Sequence, residues 1–159
     1  AYARRNFIVF SGLTNPHLNI VPVISDTYCG FECLRNKMYK NNYAMPSIQT
    51  VANLAIYVGI NSGYDNVRLY GVDHTFFDGL CINDRNELCV LDRHFYDDKP
   101  NLKPIIRNDN DEIFKISDYI LSIGGMFKSH DLLNSYAGYM GVHIQNCTKV
   151  SLIDSYPRV

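Results

Sequence analysis

From Ser47 onward the apolar positions Ile48, Val51, Ala55 and Val58 recur at the spacing of one helix face, with Pro46 directly before and Gly63 directly after Ser62. The pattern predicts a helix over residues 47–62, capped by Ser47 and turning one face to a core. The period then changes. Asn66-Val67-Arg68-Leu69-Tyr70-Gly71-Val72-Asp73 alternates polar and apolar as a strand does. Leu80-Cys81-Ile82 and Leu88-Cys89-Val90-Leu91 flank the turn formers Asn83-Asp84-Arg85-Asn86, the pattern of a β-hairpin projecting from the main sheet. Residues 92–112, rich in Asp, Asn and Pro, read as an excursion across the surface. Helical spacing resumes over residues 116–123 and is expected to break at Gly124-Gly125. A new helix then starts with Ser129 as N-cap, carries its apolar stripe on Leu132, Leu133, Tyr136, Ala137 and Met140, and closes at Gly141. Val142-His143-Ile144 follows as a short strand.

Helix, glycine, strand thus occurs twice, which argues for an α/β fold with a mostly parallel sheet whose ligands gather beyond the carboxyl ends of the strands. Those ends are Gly71 to Thr75 and Asn146 to Ser151. The helix at 47–62 should pack on a strand at 67–72, with Asp73 and His74 at its carboxyl end facing a cleft. The chain begins at Ala1 without Met and enters a strand-like run, Phe7-Ile8-Val9-Phe10, so it is expected to be part of a longer protein.

Composition narrows the class. The 159 residues are 47% hydrophobic and 19% charged, which suits one domain, 1–159, with an ordinary core. A net charge of -1 without runs of like charge speaks against nucleic acid as a partner. No apolar run approaches the roughly 20 residues of a membrane span, and no signal-peptide pattern is seen, so a soluble chain is expected. Five cysteines, Cys29, Cys33, Cys81, Cys89 and Cys147, are an odd number that fits free thiols in a reducing compartment, so a cytoplasmic protein is expected. Cys29 and Cys33 would share a helical face and Cys81 would stand opposite Cys89. Neither pair has the C-x2-C spacing of a zinc knuckle, and no metal is expected.

Four segments carry candidate chemistry. Gly71-Val72-Asp73-His74 puts an acceptor and a near-neutral titrating group at a strand end. His94-Phe95-Tyr96, with Asp92, Asp97 and Asp98 beside it, offers a histidine that neighbouring carboxylates could orient as a general base. Ser47, Gln49 and Thr50 sit where a helix N-terminus would receive a phosphate or carboxylate. His130, next to the N-cap expected at Ser129, is the alternative base, its pKa lowered by that helix terminus. The first three also have a plain structural reading: a turn, a solvated loop, a cap.

The run from Pro46-Ser47-Ile48-Gln49-Thr50 through Ile60-Asn61-Ser62-Gly63-Tyr64 to Val67-Arg68-Leu69-Tyr70-Gly71-Val72-Asp73-His74 resembles the second half of the sialyltransferase-like and MptE-like domain families. Residues 141–148 and 151–154 resemble the closing strand and loop of those domains, and residues 92–97 a segment of bacterial surface-polysaccharide members. His74-Thr75-Phe76-Phe77 stands where the family has a tyrosine after Gly-x-Asp. The resemblance implies a Rossmann-like three-layer sandwich of which this chain is the C-terminal part, completed by an N-terminal half or by homo-oligomerisation. It implies a glycosyltransferase of capsule or lipopolysaccharide synthesis, taking a nucleotide-sugar such as a CMP-linked donor and a glycan acceptor, with no metal or other cofactor. Ser47 and Thr50 would contact the donor, Asp73 would be the strand-end residue, and His94 or His130 the base. Its MptE-like side implies instead a pterin diphosphokinase, with ATP and Mg²⁺ held by Asp97, Asp98, Asp109 and Asp111. A third expectation is a non-catalytic domain that packs against a partner half.

Overall fold

The computed structural model of the protein describes His17 and residues 26–92, 101–107 and 111–158. Within them the chain runs α1 (Glu32–Lys40), α2 (Val51–Asn61), β1 (Asn66–Leu69), β2 (Leu80–Ile82), β3 (Leu88–Asp92), β4 (Asn101–Pro104), α3 (Ile116–Met140) and β5 (His143–Asn146). The fold is mixed α/β, with a two-stranded parallel sheet, β1-β5, and a separate antiparallel sheet, β2-β3-β4. The strand-like run at Phe7 to Phe10 lies outside the described residues. Among the described residues no helix is long and apolar enough to cross a membrane.

The parallel pair forms as the repeated helix-glycine-strand pattern predicts. Asn66 aligns with His143 and Leu69 with Asn146. Each strand is delivered by a helix ending at a left-handed glycine, Gly63 at φ 82° and Gly141 at φ 75°. At the second junction Val142 N–H donates to the Ala137 carbonyl at 2.9 Å, satisfying one of the carbonyls a helix end leaves open.

α2 packs on β1, where a methyl on Gly59 would meet Val67 Cγ2 at 3.6 Å. It begins at Val51 and not at Ser47. Thr50 has the extended backbone of an N-cap, φ -133° and ψ 156°. Its Oγ1 accepts from Asn53 N–H at 3.3 Å and donates to Asn53 Oδ1 at 2.8 Å. Ser47 stays in the extended segment before the helix, its carbonyl taken by the Ser129 hydroxyl at 2.6 Å.

The two helices expected on either side of Gly124-Gly125 are one, the 25-residue α3. Helix-interior glycine costs about 1 kcal/mol relative to alanine, too little to break a helix whose apolar face is buried on both sides of the pair. Ser129 caps nothing. Its hydroxyl is 1% exposed and lies 3.0 Å from the Gly125 carbonyl one turn back, as well as on Ser47.

Strand β1 is shorter than its alternation suggests. It stops at Leu69 because Val72 N–H donates to the Thr148 hydroxyl at 3.1 Å, and Gly71, at φ 67°, turns the chain. The hairpin β2–β3 is as expected, with Cys81 opposite Cys89 and the Asn83 side chain accepting from Arg85 N–H and Glu87 N–H. The stretch read as a surface excursion supplies a further strand: β4 pairs with β3, Leu91 opposite Leu102. Pro104 cannot donate to a ladder, but β4 is an edge strand, where proline is tolerated. Cys29 precedes α1, so it shares no helical face with Cys33.

The core lies between α1, α2, α3 and the parallel pair. Tyr39, Tyr57 and Tyr136, one from each helix, meet at its centre, all at 2% exposure or less. Tyr39 stands edge-on to the other two at centroid separations of 6.0 and 5.3 Å, the arrangement that ring quadrupoles favour. Buried hydroxyls need acceptors, and these are local. Tyr39 donates to the Tyr28 carbonyl at 2.6 Å, Tyr57 to the Tyr39 carbonyl at 3.0 Å, and Tyr136 to Asn61 Oδ1.

Two alanine substitutions in and after α3 should have opposite signs. Gly124 is exposed in the helix interior and a methyl there meets nothing within 4 Å, so Gly124→Ala should stabilise by about 0.5–1 kcal/mol. Gly141→Ala, at φ 75°, should destabilise by about 1–2 kcal/mol. Calorimetric melting of the two variants checks both, and destabilisation by Gly124→Ala would contradict an unbroken helix.

Candidate functional site

Because β1 and β5 run parallel, their carboxyl ends lie side by side, and the segments leaving them are laced together. The Ser151 hydroxyl donates to the Val72 carbonyl at 2.8 Å and Leu152 N–H to the Asp73 carbonyl at 2.8 Å. Asn146, 1% exposed, donates from Nδ2 to Ser151 Oγ at 3.1 Å and to the Ile153 carbonyl at 3.2 Å. The Arg158 guanidinium ties down the carbonyls of Thr148, Lys149 and Ser151. Loop backbone that would otherwise be free is thereby fixed.

On this platform the chain places His74 in the left-handed region, at φ 54°. A non-glycine residue there costs about 1 kcal/mol or more and persists only where its surroundings hold it. Here the surroundings are a buried polar chain. His74 Nε2 lies 3.0 Å from His130 Nε2, and His130 Nδ1 lies 3.0 Å from the Tyr156 hydroxyl. The three are 6%, 0% and 3% exposed. Phe76 and Phe127 wall the outer histidine, their centroids 5.3 and 6.1 Å from its ring.

Burial settles the protons. It pushes the Tyr156 hydroxyl far above the usual tyrosine range, with Asp131 adding to the shift, so Tyr156 stays protonated. Burial first, then the neighbouring His74, lowers His130 to about 4 against a weaker opposing pull from Asp131. Burial also lowers His74, with Asp73 partly opposing. Both rings are therefore neutral at pH 7, and the bond between them carries one proton. Among the described residues the Tyr156 hydroxyl has no partner except His130 Nδ1, so it donates there. His130 then carries its proton on Nε2 and donates to His74 Nε2, which leaves His74 protonated on Nδ1. No described group accepts from that Nδ1–H. It is also not sealed in, since the sealed and unpartnered polar atoms are Arg35 Nε, Asn36 Oδ1 and Asn53 Nδ2. The chain thus presents a neutral, oriented N–H donor beside the strand ends.

Next to it lies a groove of about 610 Å³ between α3, the start of α2 and the segment after β4, and Gln49, Thr50 and Phe76 reach it. Arg107 and Asp118 form an ion pair across it at 3.8 Å, and the Arg107 guanidinium stands 5.2 Å from the Phe114 ring centre. Tyr119 donates to the Phe76 carbonyl at 3.0 Å, fixing the turn that follows His74.

The residues singled out from the sequence are divided by this arrangement. Asp73 and His74 do follow the end of β1, yet neither lines the groove. Gln49 and Thr50 do line it, although the Thr50 hydroxyl is engaged in capping α2. Ser47 contributes its carbonyl to Ser129. His130 sits inside α3, away from its N-terminus, so burial and not the helix dipole lowers its pKa, and at 0% exposure it supports His74 without reaching a substrate. His94 and Tyr96 lie outside the described residues, as do Asp97, Asp98 and Asp109. Among the described residues no three His, Cys, Asp or Glu side chains converge as metal ligands would. Tyr156, Arg107 and Asp118 were not marked by any motif or spacing.

The neutral pair fixes a sign for pH dependence. Where folded His130 titrates near 4 and the unfolded residue near 6.5, the unfolded chain binds more protons between these values. Stability is therefore fully present above 6.5 and is lost as pH falls through the window, by about 2 kcal/mol between pH 7 and 5 from His130 alone. Urea unfolding at the two pH values checks this. Tyr156→Phe, which strands a buried acceptor, should cost about 1–3 kcal/mol at pH 7 in the same measurement.

No family model, curated protein or solved structure matches the chain.

Proposed function

We propose that the chain is the C-terminal part of a Rossmann-like glycosyltransferase domain of bacterial surface-polysaccharide synthesis, transferring a sugar from a nucleotide-sugar donor to a glycan hydroxyl. The observation that carries the reading is the Tyr156–His130–His74 chain at the carboxyl ends of two parallel strands, where folds of this class bind ligands. The resemblance of residues 46–74 to sialyltransferase-like domains supports the same reading.

In such a transfer the bond between the sugar's anomeric carbon and the donor phosphate oxygen breaks, and a bond to the acceptor oxygen forms. The acceptor proton passes to a base, and negative charge collects on the departing phosphate. The Nδ1–H of His74 would stabilise that charge: it is neutral, already oriented and shielded by aromatic rings, so its donor strength is not spent on water. His130 and Tyr156 act as positioning residues that hold the tautomer. The base expected from the sequence at His94 lies outside the described residues.

Melting of the full chain with CMP, UDP, ATP with Mg²⁺, and 6-hydroxymethylpterin tests the ligand class, since a ligand of the native state raises the melting temperature. A nucleotide mono- or diphosphate should give the largest rise. A rise confined to ATP with pterin would replace the reading with pterin diphosphokinase, and no rise with any of them would leave a packing domain. With a donor and acceptor identified, His74→Ala should lower turnover by about 100-fold, the usual loss for one preorganised donor. Unchanged turnover would remove His74 from the mechanism.

A further inference from the structure

We infer that the groove holding Gln49, Arg107, Asp118 and Ser122 is a saccharide site, and that within the proposed transferase it seats the uncharged glycan acceptor and not the nucleotide. The second half of this statement rests on the glycosyltransferase reading. The first does not.

Charge decides against an anion. Among the described residues lining the groove the one guanidinium, Arg107, is paired with Asp118 at 3.8 Å, and a phosphate approaching it would meet that carboxylate at the same time. The paired charges leave a set of acceptors with little net field. Gln49 Oε1 keeps a second lone pair beside the bond it accepts from Ser122, and Asp118 adds two acceptor oxygens and Ser122 the lone pairs of a hydroxyl. Adjacent sugar hydroxyls, each able to donate, match such a set. The Ser122 hydroxyl donates to Gln49 Oε1 at 3.3 Å, and Nε2 lies against the same helix at Gly125, so both ends of the amide are held by α3.

The groove also has the apolar face that a sugar ring requires. Phe76 is 37% exposed and lines it, with Tyr119 and Met126 nearby. The volume of about 610 Å³ falls in the range of small-molecule sites. Its position suits an acceptor: Phe76 lines the groove and touches the relay, its ring tilted 39° to that of His74 with the centres 5.3 Å apart, so a sugar on Phe76 is one ring away from the proposed leaving-group donor.

Gly125 ties the site to the sequence. A methyl there would come within 3.1 Å of Gln49 Nε2 and would push the amide back by a few tenths of an ångström, so the glycine sets how closely the amide lies against α3. Its neighbour Gly124 faces open space. The Gly124-Gly125 pair, which does not break the helix, thus has one member with a contact to preserve. Gly125 is a positioning residue for Gln49.

The test is titration calorimetry and ligand-observed NMR on the full chain with uncharged methyl glycosides of glucose, galactose, mannose and N-acetylglucosamine, with CMP and inorganic phosphate as charged probes. At least one glycoside should bind. Asp118→Asn and Gly125→Ala should each weaken it about tenfold while Gly124→Ala leaves it unchanged, and Gly125→Ala should not lower the melting temperature, because alanine favours the helix. Binding of no glycoside, equal binding in all variants, or displacement of the glycoside by phosphate would each overturn the inference. The two readings fail separately. If CMP or UDP raises the melting temperature of wild type and groove variants alike but no glycoside binds, the saccharide site is wrong and the transferase stands. If a glycoside binds in the groove and no nucleotide binds anywhere, the site stands as a glycan-binding groove and the transferase reading falls.

Discussion

Four residues of β1 beside four of β5 make a sheet that could not stand alone, since two short strands leave most of their backbone to compete with water. Their pairing is nevertheless what the candidate site depends on. It sets Gly71–Thr75 next to Cys147–Ile153, which the Ser151 hydroxyl and Leu152 N–H join by donating to the carbonyls of Val72 and Asp73. The sheet holds because each strand is the continuation of a helix buried against it. α2 and α3 meet over the pair through Tyr57 and Tyr136, and α1 adds Tyr39 between them. The tyrosine cluster is therefore an anchor for the sheet whose carboxyl ends carry the candidate chemistry.

The site contains two polar costs that hydrophobic packing has to offset. One is backbone: His74 occupies a left-handed conformation that side chains disfavour. The other is the burial of two imidazoles and a phenol, tolerable only because each finds a partner within 3.0 Å. A core with apolar residues at these three positions would be simpler to stabilise. Their combination, a strained loop residue whose buried ring is held by a hydrogen-bonded chain, is the pattern expected where geometry serves binding or reaction.

Much of the architecture was legible in the pattern of residues. The hairpin showed in two apolar runs around Asn83-Asp84-Arg85-Asn86, and both helix ends at Gly63 and Gly141 showed because only glycine enters the left-handed turn there without cost. The misplaced features share one cause. Ser47, Thr50 and Ser129 are all acceptable caps, and Gly124-Gly125 is an acceptable break, by local preference alone. Differences of about 1 kcal/mol between such alternatives are smaller than what burial of a helix face contributes. β4 escaped notice for a similar reason: Asn101-Leu102-Lys103-Pro104 has almost no strand signal, and pairing with β3 supplies what propensity lacks.

The site divides along the same line. Asp73 and His74 were marked by position, since a strand followed by glycine and polar residues has few other uses, and Gln49 and Thr50 by their place before a helix. What the sequence determined by itself was the twice-repeated succession of helix, glycine and strand, the two left-handed junctions and the parallel sense of β1 and β5, because each follows from side-chain period and from the steric freedom of glycine within a few residues. Only the tertiary structure decided that His74, His130 and Tyr156, separated by 56 and 26 residues, form one chain. It likewise brought Asp118 and Arg107 to the groove that begins at Gln49. Contacts between distant segments leave no local trace, because a histidine bound for a buried relay and one bound for solvent obey the same short-range rules.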